Sequence, residues 1–311
     1  MWRRGLILSL VAILFVLSAG ARARANSVAT TFSPVIYINV QSGNVTIRTW
    51  DQPNVDIVGD PSIQFQHAGP LLVQRRFMNQ PFQPELWAQT IQTLDGPLSL
   101  PAEPFPLPPL GPGPHDAVLV RGNGDVTITV PASSALIIAN VRQGGATMNG
   151  YRGLFVMHVV GGSVHLDGVG GTGAVQVNNG PFFASNSQFD RLRVRTGRGN
   201  MLFENCASAQ IQASSLTGTI VYDNGTFMQG LAHFESQRGS VALGVADGNA
   251  QITAHSDAGR VFNEGALGGG PVVTATSGSG AVLYYRGTIR EHPNLIRQLP
   301  PAARPFRRPL K

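Results

Sequence analysis

The sequence is poor in cysteine and in charge. Its only cysteine, Cys206, excludes an intramolecular disulfide, so the stability of this chain must come from elsewhere. Only 13% of the 311 residues are charged and 37 are glycines, a composition that would suit disorder if it were not patterned. It is patterned, because the glycines recur at a fixed period and apolar residues alternate between them. This favours an all-β repeat fold.

The first 25 residues have the pattern of a secretory signal. Arg3 and Arg4 precede an apolar block that ends at Leu17, and Ala23-Arg24-Ala25 is a small-residue cleavage pattern. We expect cleavage after Ala25. The block is short for a spanning helix and no cysteine follows it for a lipoprotein anchor, which leaves an uncleaved signal anchor as the alternative. The chain is therefore expected to be exported to the periplasm, the cell surface or the medium.

Removal of this signal changes the charge balance. The formal charge of +6 falls to +2, because four arginines are lost with residues 1–25. Residues 286–311 carry seven basic side chains against Glu291, so residues 26–285 are mildly acidic. Membrane contact is expected only through this basic tail or an uncleaved signal, and no nucleic-acid partner is expected.

Between Thr196 and Val282 a hydroxyl residue is followed three positions later by glycine, and two positions after that by an apolar residue. The glycines of these five copies are 19, 21, 20 and 21 residues apart, a length typical of stacked coils. The copies are Thr196-Gly-Arg-Gly199-Asn-Met201, Ser215-Leu-Thr-Gly218-Thr-Ile220, Ser236-Gln-Arg-Gly239-Ser-Val241, Ser256-Asp-Ala-Gly259-Arg-Val261 and Ser277-Gly-Ser-Gly280-Ala-Val282.

The period extends over most of the chain when the copies are aligned on their glycines. The anchors are Gly43, Gly124, Gly145, Gly162, Gly180, Gly199, Gly218, Gly239, Gly259 and Gly280. The second residue after the anchor is apolar in every copy but one, where it is Thr147, and the fifth residue before it is apolar in every copy but one, where it is Asn140. The residue four before the anchor is mostly polar, so period-two alternation places it outside. The sequence predicts a single-stranded, β-helix-like β-solenoid with about twenty residues per coil.

The hydroxyl has a predicted role in the turn. A Ser or Thr side chain can accept a hydrogen bond from the backbone two residues on, and the glycine that follows can adopt positive φ without a Cβ clash. By this interpretation Gly239→Val is costly because the turn needs positive φ.

Five segments follow from the pattern. They are a signal peptide (1–25), a first β-repeat (26–60), a Pro-rich insertion (61–115), the solenoid repeats (116–289) and a basic Pro-rich tail (290–311). Within the insertion, Pro84 to Gly96 can form a short amphipathic helix, and residues 101–114 are better read as polyproline. A solenoid needs caps at its ends, for which the insertion and the tail are the candidates, although the tail could equally be disordered.

At these repeats the chain resembles the bacterial putative-adhesin or domain-of-unknown-function family of glycine-rich β-strand repeats. The resemblance covers Val35 to Gly59 and Asp116 to Gly287 and rests on the S/T-x-x-G-x-apolar unit and on the phrase from Gly43 to Ile57. It implies an exported, single-stranded β-solenoid of unproven ligand. It transfers no site residue.

The candidate binding residues are Arg191, Arg193 and Arg195, with Arg198 near the adjacent turn. They alternate with Leu192 and Val194, so the three guanidinium groups should project from one face, where like charges repel. This favours an anionic partner, such as an acidic polysaccharide or another cell-envelope polymer. The alternative interpretation is a solvated edge whose arginines pair with Asp190, Glu204 or other neighbours.

Catalysis, metals and cofactors have weaker signals. Gly168-Val-Gly170-Gly-Thr-Gly173 lacks the helix of a dinucleotide site, and Gly122-Asn-Gly124-Asp125 lacks the nine-residue period of a calcium-binding roll. We expect no catalytic residue, metal or cofactor. The alternative is a carbohydrate-active β-helix enzyme, a polysaccharide lyase or hydrolase, that uses carboxylates of the C-terminal coils. Those carboxylates are Asp223, Glu235, Asp247, Asp257 and Glu264. Glu235 and His255 share the outward column on consecutive coils, where their side chains could meet or form only an exposed ladder pair.

The sequence thus predicts an exported, non-enzymatic β-solenoid that acts as an envelope-associated, adhesin-like binding or structural module. It does not indicate the oligomeric state.

Overall fold

The protein is all-β, as predicted. The structure, a computed structural model, describes residues 24–30, 33–71, 115–265 and 267–301. Most of the expected signal peptide, the helix expected within 84–96 and the polyproline expected within 101–114 lie outside these residues. In the part of the chain that is described, no helix is both long and apolar enough to span a membrane.

Twenty-three strands and two short helical turns make up the described chain. The first strands are β1 (Arg24–Ala29), β2 (Val35–Ser42), β3 (Val45–Trp50), β4 (Asn54–Gly59), β5 (Gln64–Leu71), β6 (His115–Asn123), β7 (Val126–Pro131), β8 (Leu136–Gln143), β9 (Ala146–Asn149), β10 (Arg152–Gly161), β11 (Val164–Asp167) and β12 (Gly170–Asn179). The others are β13 (Phe182–Ser185), β14 (Gln188–Arg198), β15 (Met201–Glu204), β16 (Ala207–Thr217), β17 (Ile220–Phe227), β18 (Ala232–Arg238), β19 (Val241–Val245), β20 (Gln251–Ser256), β21 (Val261–Glu264), β22 (Val272–Ser277) and β23 (Val282–Arg286). A 3₁₀ turn (Ile289–Glu291) and helix α1 (Pro293–Ile296) follow.

The strands form two ladders, here called sheet A and sheet B. Sheet B has the order β5-β6-β2-β8-β10-β12-β14-β16-β18-β22-β20. Sheet A has the order β1-β4-β7-β3-β9-β11-β13-β15-β17-β19-β23-β21. All pairs are parallel except those of β1, β4 and β5, which are antiparallel. From β8 to β19, paired residues are 18 to 21 positions apart in sequence, with isolated bulges.

Alternate residues of the two sheets face each other and form the main core. The core includes an aromatic column in which Phe182, Phe203, Tyr222 and Phe234 follow one another with ring centroids 5.2 to 5.6 Å apart. All four rings are fully buried. Aromatic pairs at such separations add to the burial of apolar area, so the column ties together β13, β15 and β17 of sheet A and β18 of sheet B.

Both ends of the stack depart from chain order. At the N-terminal end, β2 and β3 lie inside β6 and β7, although they come earlier in the sequence. At the C-terminal end, β22 lies between β18 and β20 in sheet B, and β23 lies between β19 and β21 in sheet A. The last two strands of the sequence are therefore not the outermost strands of their sheets. A count of repeats along the sequence does not give this order.

One glycine from each of nine turns lines the same edge of the stack, and these glycines form a column. They follow the order of the strand pairs in space rather than the order of the sequence. A Cβ atom on any of these glycines would lie 1.8 to 2.4 Å from the carbonyl oxygen of a glycine in the neighbouring turn, a contact that backbone atoms cannot relieve. The column therefore admits only glycine, because adjacent turns approach more closely than a side chain allows. Its members are Gly43, Gly144, Gly162, Gly180, Gly199, Gly218, Gly239, Gly280 and Gly259.

One predicted anchor is wrong. Gly144, with φ of +126°, occupies the column in place of Gly145. With this shift of one residue, buried Ala146 replaces Thr147 after the turn and buried Ala139 replaces Asn140 before it. Both apparent exceptions to the apolar pattern thus arise from one misplaced anchor.

The hydroxyl residues act differently from the prediction. Gly280 N donates to Ser277 Oγ (2.7 Å) and Gly259 N donates to Ser256 Oγ (2.9 Å), so the hydroxyl accepts from three residues on, not two. Ser277 Oγ also donates to Gly239 O (2.8 Å), the glycine of the neighbouring turn. The hydroxyl therefore links adjacent turns as well as fixing its own.

The reason expected for a cost at Gly239 also changes. Gly239 is not among the glycines with positive φ, but a Cβ there would lie 2.2 Å from Gly218 O. Close approach of two turns, rather than a left-handed backbone, is what requires glycine at this position.

The two candidate caps contribute to the fold in different ways. Residues 64–71, inside the predicted insertion, form β5 and pair antiparallel with β6 at the N-terminal end of sheet B. The start of the predicted tail does not extend a sheet. Instead Leu295 and Leu299 pack with Ile289 on the outer side of sheet A, against Val221, Ala242, Leu283 and Tyr285.

Candidate functional site

The predicted arginine strand is β14, in the middle of sheet B. Leu192 and Val194 are buried in the core, so the intervening arginines lie on the outer face. Arg191 and Arg195 are exposed and Arg193 is half-buried. Alternation from Arg191 to Arg195 fixes this arrangement, because successive side chains of a strand point to opposite faces. Arg198, at the end of β14, is also exposed.

The neighbouring strands place polar groups beside these arginines. Arg191 aligns with Thr172 and Gln210, and its Nε donates to Gln210 Oε1 at 2.9 Å. Glu204, one of the carboxylates considered as a partner, lies in β15 of sheet A and not beside β14 in sheet B. Contacts along the ladder, rather than to Glu204, therefore hold the Arg191 side chain.

A groove runs across sheet B next to Arg195. It has a volume of about 280 Å³ and lies where β12, β14, β16 and β18 approach the turns. Most of its lining residues are polar, and they include Gln176, Asn178, Arg195, Ser214, Glu235 and Gln237. Ladder register places Ser214 between Arg195 and Glu235, so the two charged residues stand two strands apart, roughly 10 Å.

The rim of the groove carries further positive charge. Arg198 aligns with Thr217, and Thr217 aligns with Arg238, on the side of the turns. Arg198 and Arg238 are both exposed. The groove thus combines amide and hydroxyl groups with more positive than negative charge. The sequence assigned Arg195 and Arg198 to a binding surface, but not Arg238 or the polar lining residues. Arg195 and Glu235 each lie four residues before their anchor glycine. This equal spacing is the sequence signal that places both side chains in one outward column.

The structure does not bring Glu235 and His255 together on adjacent strands. Because β22 lies between β18 and β20, Thr276 separates the two residues in their column. Each is instead near a partner on its own strand or the next turn: His233 Nε2 lies 3.6 Å from Glu235 Oε2, and His255 Nε2 lies 2.9 Å from Asp257 Oδ1. Both pairs are substantially exposed. Exposed pairs of this kind contribute little to stability.

Two of the other candidate carboxylates hold the chain after β23. Asp223 Oδ1 accepts hydrogen bonds from Tyr285 Oη (3.0 Å) and from Ile289 N (2.8 Å). Burial raises the pKa of Asp223, and these two hydrogen bonds oppose that effect. Glu264 Oε2 lies 3.0 Å from His292 Nδ1. These carboxylates are therefore committed to packing rather than to a shared cleft.

The glycine motifs serve packing. A Cβ on Gly173 would lie 2.1 Å from the Phe155 ring, so this glycine makes room for a core aromatic side chain. Asp125, in the other motif, accepts from Asn44 N (2.7 Å), and Asp125 N donates to Asp60 Oδ2 (2.7 Å). Among the described residues no group of three or more His, Cys, Asp or Glu side chains could hold a metal ion.

Comparisons with known proteins add little. No family model matches the chain, and no curated protein matches it. Among solved structures, a putative cell adhesion protein from Clostridium sporogenes aligns over 85% of this chain and 100% of its own length, at 10% identity and a TM-score of 0.24. A likeness at this TM-score carries no argument about fold or function.

Proposed function

We propose that this chain is an exported, non-enzymatic β-solenoid, with about twenty residues per coil, that binds a polymer of the cell envelope in the manner of an adhesin. The parallel pairing of residues 18 to 21 positions apart supports the coil length. The glycine column supports a stack in which every coil turns at the same edge. Localisation is part of the proposal, and fractionation of the native cells tests it.

The groove beside Arg195 is the observation that carries the binding function. It is open along the outer face of sheet B, and its amide and hydroxyl groups are those that hydrogen-bond to sugar hydroxyls. Glu235 can accept from such hydroxyls, and Arg195 can bind a carboxylate or sulfate through two parallel hydrogen bonds. An acidic polysaccharide fits this combination.

A binding function is favoured over catalysis because of the separation of the candidate acid and base. Thr276 stands between Glu235 and His255, and Asp223 and Glu264 are engaged with the chain that follows β23. A hydrolase needs two carboxyl groups about the same scissile bond. These groups are instead dispersed over both sheets.

The test is retention on acidic polysaccharides immobilised on a column. The Arg191→Ala/Arg193→Ala/Arg195→Ala variant should lose at least about tenfold in apparent affinity at low salt, because charge-assisted contacts are removed and salt screens those that remain. The matched control is Arg48→Ala/Arg152→Ala/Arg260→Ala, which removes the same charge from exposed positions outside β14. This control should bind as the wild type does.

Two results would overturn the proposal. Equal retention of both triple variants and the wild type would remove the arginine strand as a binding surface. Release of product from any polysaccharide, abolished by Glu235→Gln or by Asp257→Asn, would show that the protein is an enzyme.

A further inference from the structure

The groove beside Arg195 has a gap in its lining on β14. The next outward position on this strand after Arg195 is Gly197, which lines the groove and has no side chain. A Cβ atom on Gly197 would lie 2.5 Å from Asn178 O, so the close approach of β12 and β14 keeps this position a glycine. The gap is therefore a fixed feature of the backbone. We call it the Gly197 notch.

Two different side chains flank the Gly197 notch. Ladder register places Asn178 beside Gly197 on β12 and Leu216 beside it on β16. Both side chains line the groove and both are exposed, Leu216 at 51%. The notch thus has an amide group on one side and an apolar side chain on the other.

The amide group of Asn178 is oriented by a neighbour on its own strand. Gln176 Nε2 donates to Asn178 Oδ1 at 2.9 Å. Because this bond engages the amide oxygen, Asn178 Nδ2 is the atom that can donate to a carbonyl group bound in the notch. Beyond Leu216, Gln237 on β18 adds a second amide group to the lining. The notch is therefore surrounded by hydrogen-bonding groups as well as by one apolar contact.

The pairing of Leu216 with Asn178 indicates the chemistry that the notch accepts. A single exposed leucine is ordinary on a protein surface and indicates no ligand by itself. Here the leucine faces an amide group across a gap that no side chain fills. An acetamido group matches both neighbours, because its methyl can pack against Leu216 while its carbonyl oxygen accepts from Asn178 Nδ2. N-acetylated amino sugars carry this group.

Arg195 extends the match to a charged sugar. It lies two residues before Gly197 on the same face of β14, roughly 7 Å away along the strand. Its guanidinium group can bind a carboxylate through two parallel hydrogen bonds. In a polymer that alternates uronic acids with N-acetylated amino sugars, neighbouring sugars present a carboxylate and an acetamido group. One disaccharide can therefore contact both Arg195 and the Gly197 notch.

We propose that the Gly197 notch binds the acetamido group of an amino sugar, and that the polymer in the groove is an acidic polysaccharide in which such sugars alternate with uronic acids. Leu216 and Asn178 select this polymer from other acidic polysaccharides, whereas Arg195 makes a contact that is common to all of them. The inference rests on the binding function proposed above and gives it a substrate class.

Binding of polymers that differ only in their acyl group tests the notch. The first probe is heparosan, which alternates glucuronic acid with N-acetylglucosamine, and the second is the same chain with N-formyl in place of N-acetyl groups. The third is polygalacturonate, which has carboxylates but no amino sugar. The wild type should bind heparosan about fourfold more tightly than its N-formyl form, because the formyl group lacks the methyl that packs on Leu216. Isothermal titration calorimetry at low salt measures the affinities.

Variants of the two flanking residues assign the contact. Leu216→Ala should weaken heparosan binding at least about fourfold, remove the difference between the two acyl forms and leave polygalacturonate binding unchanged. Asn178→Ala should weaken both acyl forms alike, since each keeps the carbonyl oxygen. The matched control is Leu231→Ala, because Leu231 is 72% exposed just before β18 and does not line the groove. This control should bind all three polymers as the wild type does, and circular dichroism verifies the fold of each variant.

The outcomes separate this inference from the function on which it rests. If the wild type binds the acidic polymers but does not distinguish the two acyl forms, or if Leu216→Ala and Leu231→Ala behave alike, the notch is overturned and the binding function stands. Loss of polygalacturonate binding in Leu216→Ala would show that the leucine shapes the whole groove, and it also overturns the notch. Binding of none of the three polymers by the wild type overturns both proposals.

Discussion

The two ends of the strand stack are finished in different ways. At the N-terminal end, antiparallel strands β5 and β4 flank the outermost parallel strands β6 and β7, and Val55 and Ile57 on β4 are buried completely. At the C-terminal end, β20 and β21 are the last described strands of their ladders, and Val261 on β21 is 45% exposed. Antiparallel strands close the core where they are present. At the C-terminal end, within the described residues, the supporting chain packs on the outer side of sheet A instead of covering the last strands.

That support comes from the chain after β23. It lies over the outer side of sheet A and is fixed by Asp223 and by the contact between Glu264 and His292. Because Glu264 belongs to β21, this contact reaches the outermost strand. We therefore expect the middle of the stack to tolerate change least and the C-terminal end to tolerate it best.

The largest effect is expected in the glycine column. Gly180→Ala would place a Cβ atom 1.8 Å from Gly162 O at φ of +150°, and should cost about 4 kcal/mol or more. Gly259→Ala makes a similar contact, 2.1 Å from Gly280 O, but β20 and β21 on either side of it are the last described strands of their ladders and can shift, so about 2 kcal/mol is expected. The measurement is urea denaturation followed by circular dichroism.

Gly268→Ala is the control for this series, because nothing lies within 4 Å of the added Cβ. It should change the free energy of unfolding by no more than about 0.5 kcal/mol. Equal costs at Gly180 and Gly259 would remove the distinction between the middle of the stack and its C-terminal end.

A medium effect is expected from core truncation at the two ends. Ile57→Ala on β4 should cost about 3 kcal/mol, since its side chain is 1% exposed, whereas Ile252→Ala on β20, which is only partly buried, should cost about 1 kcal/mol. Urea denaturation measures both. A cost at Ile252 equal to that at Ile57 would mean that the C-terminal end is as well covered as the N-terminal one.

The smallest effect is expected at Asp223, where the side support is fixed. Its pKa is raised in the folded protein, so its favourable contribution is complete below its ordinary value of 3.8 and is lost as the pH rises through the raised value. Asp223→Asn keeps the acceptor for Tyr285 and Ile289 without the buried charge, and should be about 1 kcal/mol more stable than the wild type at pH 7.

Unfolding of both proteins between pH 3.5 and pH 8 checks this prediction, because this range begins below the ordinary aspartate pKa of 3.8. The advantage of the variant should vanish toward the acidic end. Asp51→Asn, which removes an exposed charge at the N-terminal end, is the control. A difference between the wild type and Asp223→Asn that is constant over this range would contradict the predicted role of burial.

The candidate site was only partly predictable. Alternation along β14 was enough to place Arg191, Arg193 and Arg195 on one outward face, because it depends on local geometry alone. Glu235 came to the same groove through the register of β16 and β18, two strands away in sheet B. Its expected contact with His255 failed because the sequence does not show that β22 inserts between their strands.

A second repeated feature, a left-handed residue at another corner of each turn, was not predicted from the sequence. Asn186, Asn205 and Asn224 adopt φ of 50 to 53°, at a corner that Gly150 and Gly168 occupy in earlier turns. Asn224 Nδ2 donates to Asn205 Oδ1 at 2.7 Å, so neighbouring turns are linked there. Glycine and asparagine both tolerate a left-handed backbone, and a search for one residue type therefore missed the shared column.

The sequence by itself determined the all-β class, the recurrence of about twenty residues and the outward position of the arginines, because alternation and close glycine approach leave direct marks on residue type. Tertiary structure alone decided the order of the strand pairs at both ends and the separation of Glu235 from His255. Both depend on which distant segments pair, and alternation along a strand does not show which strand lies beside it.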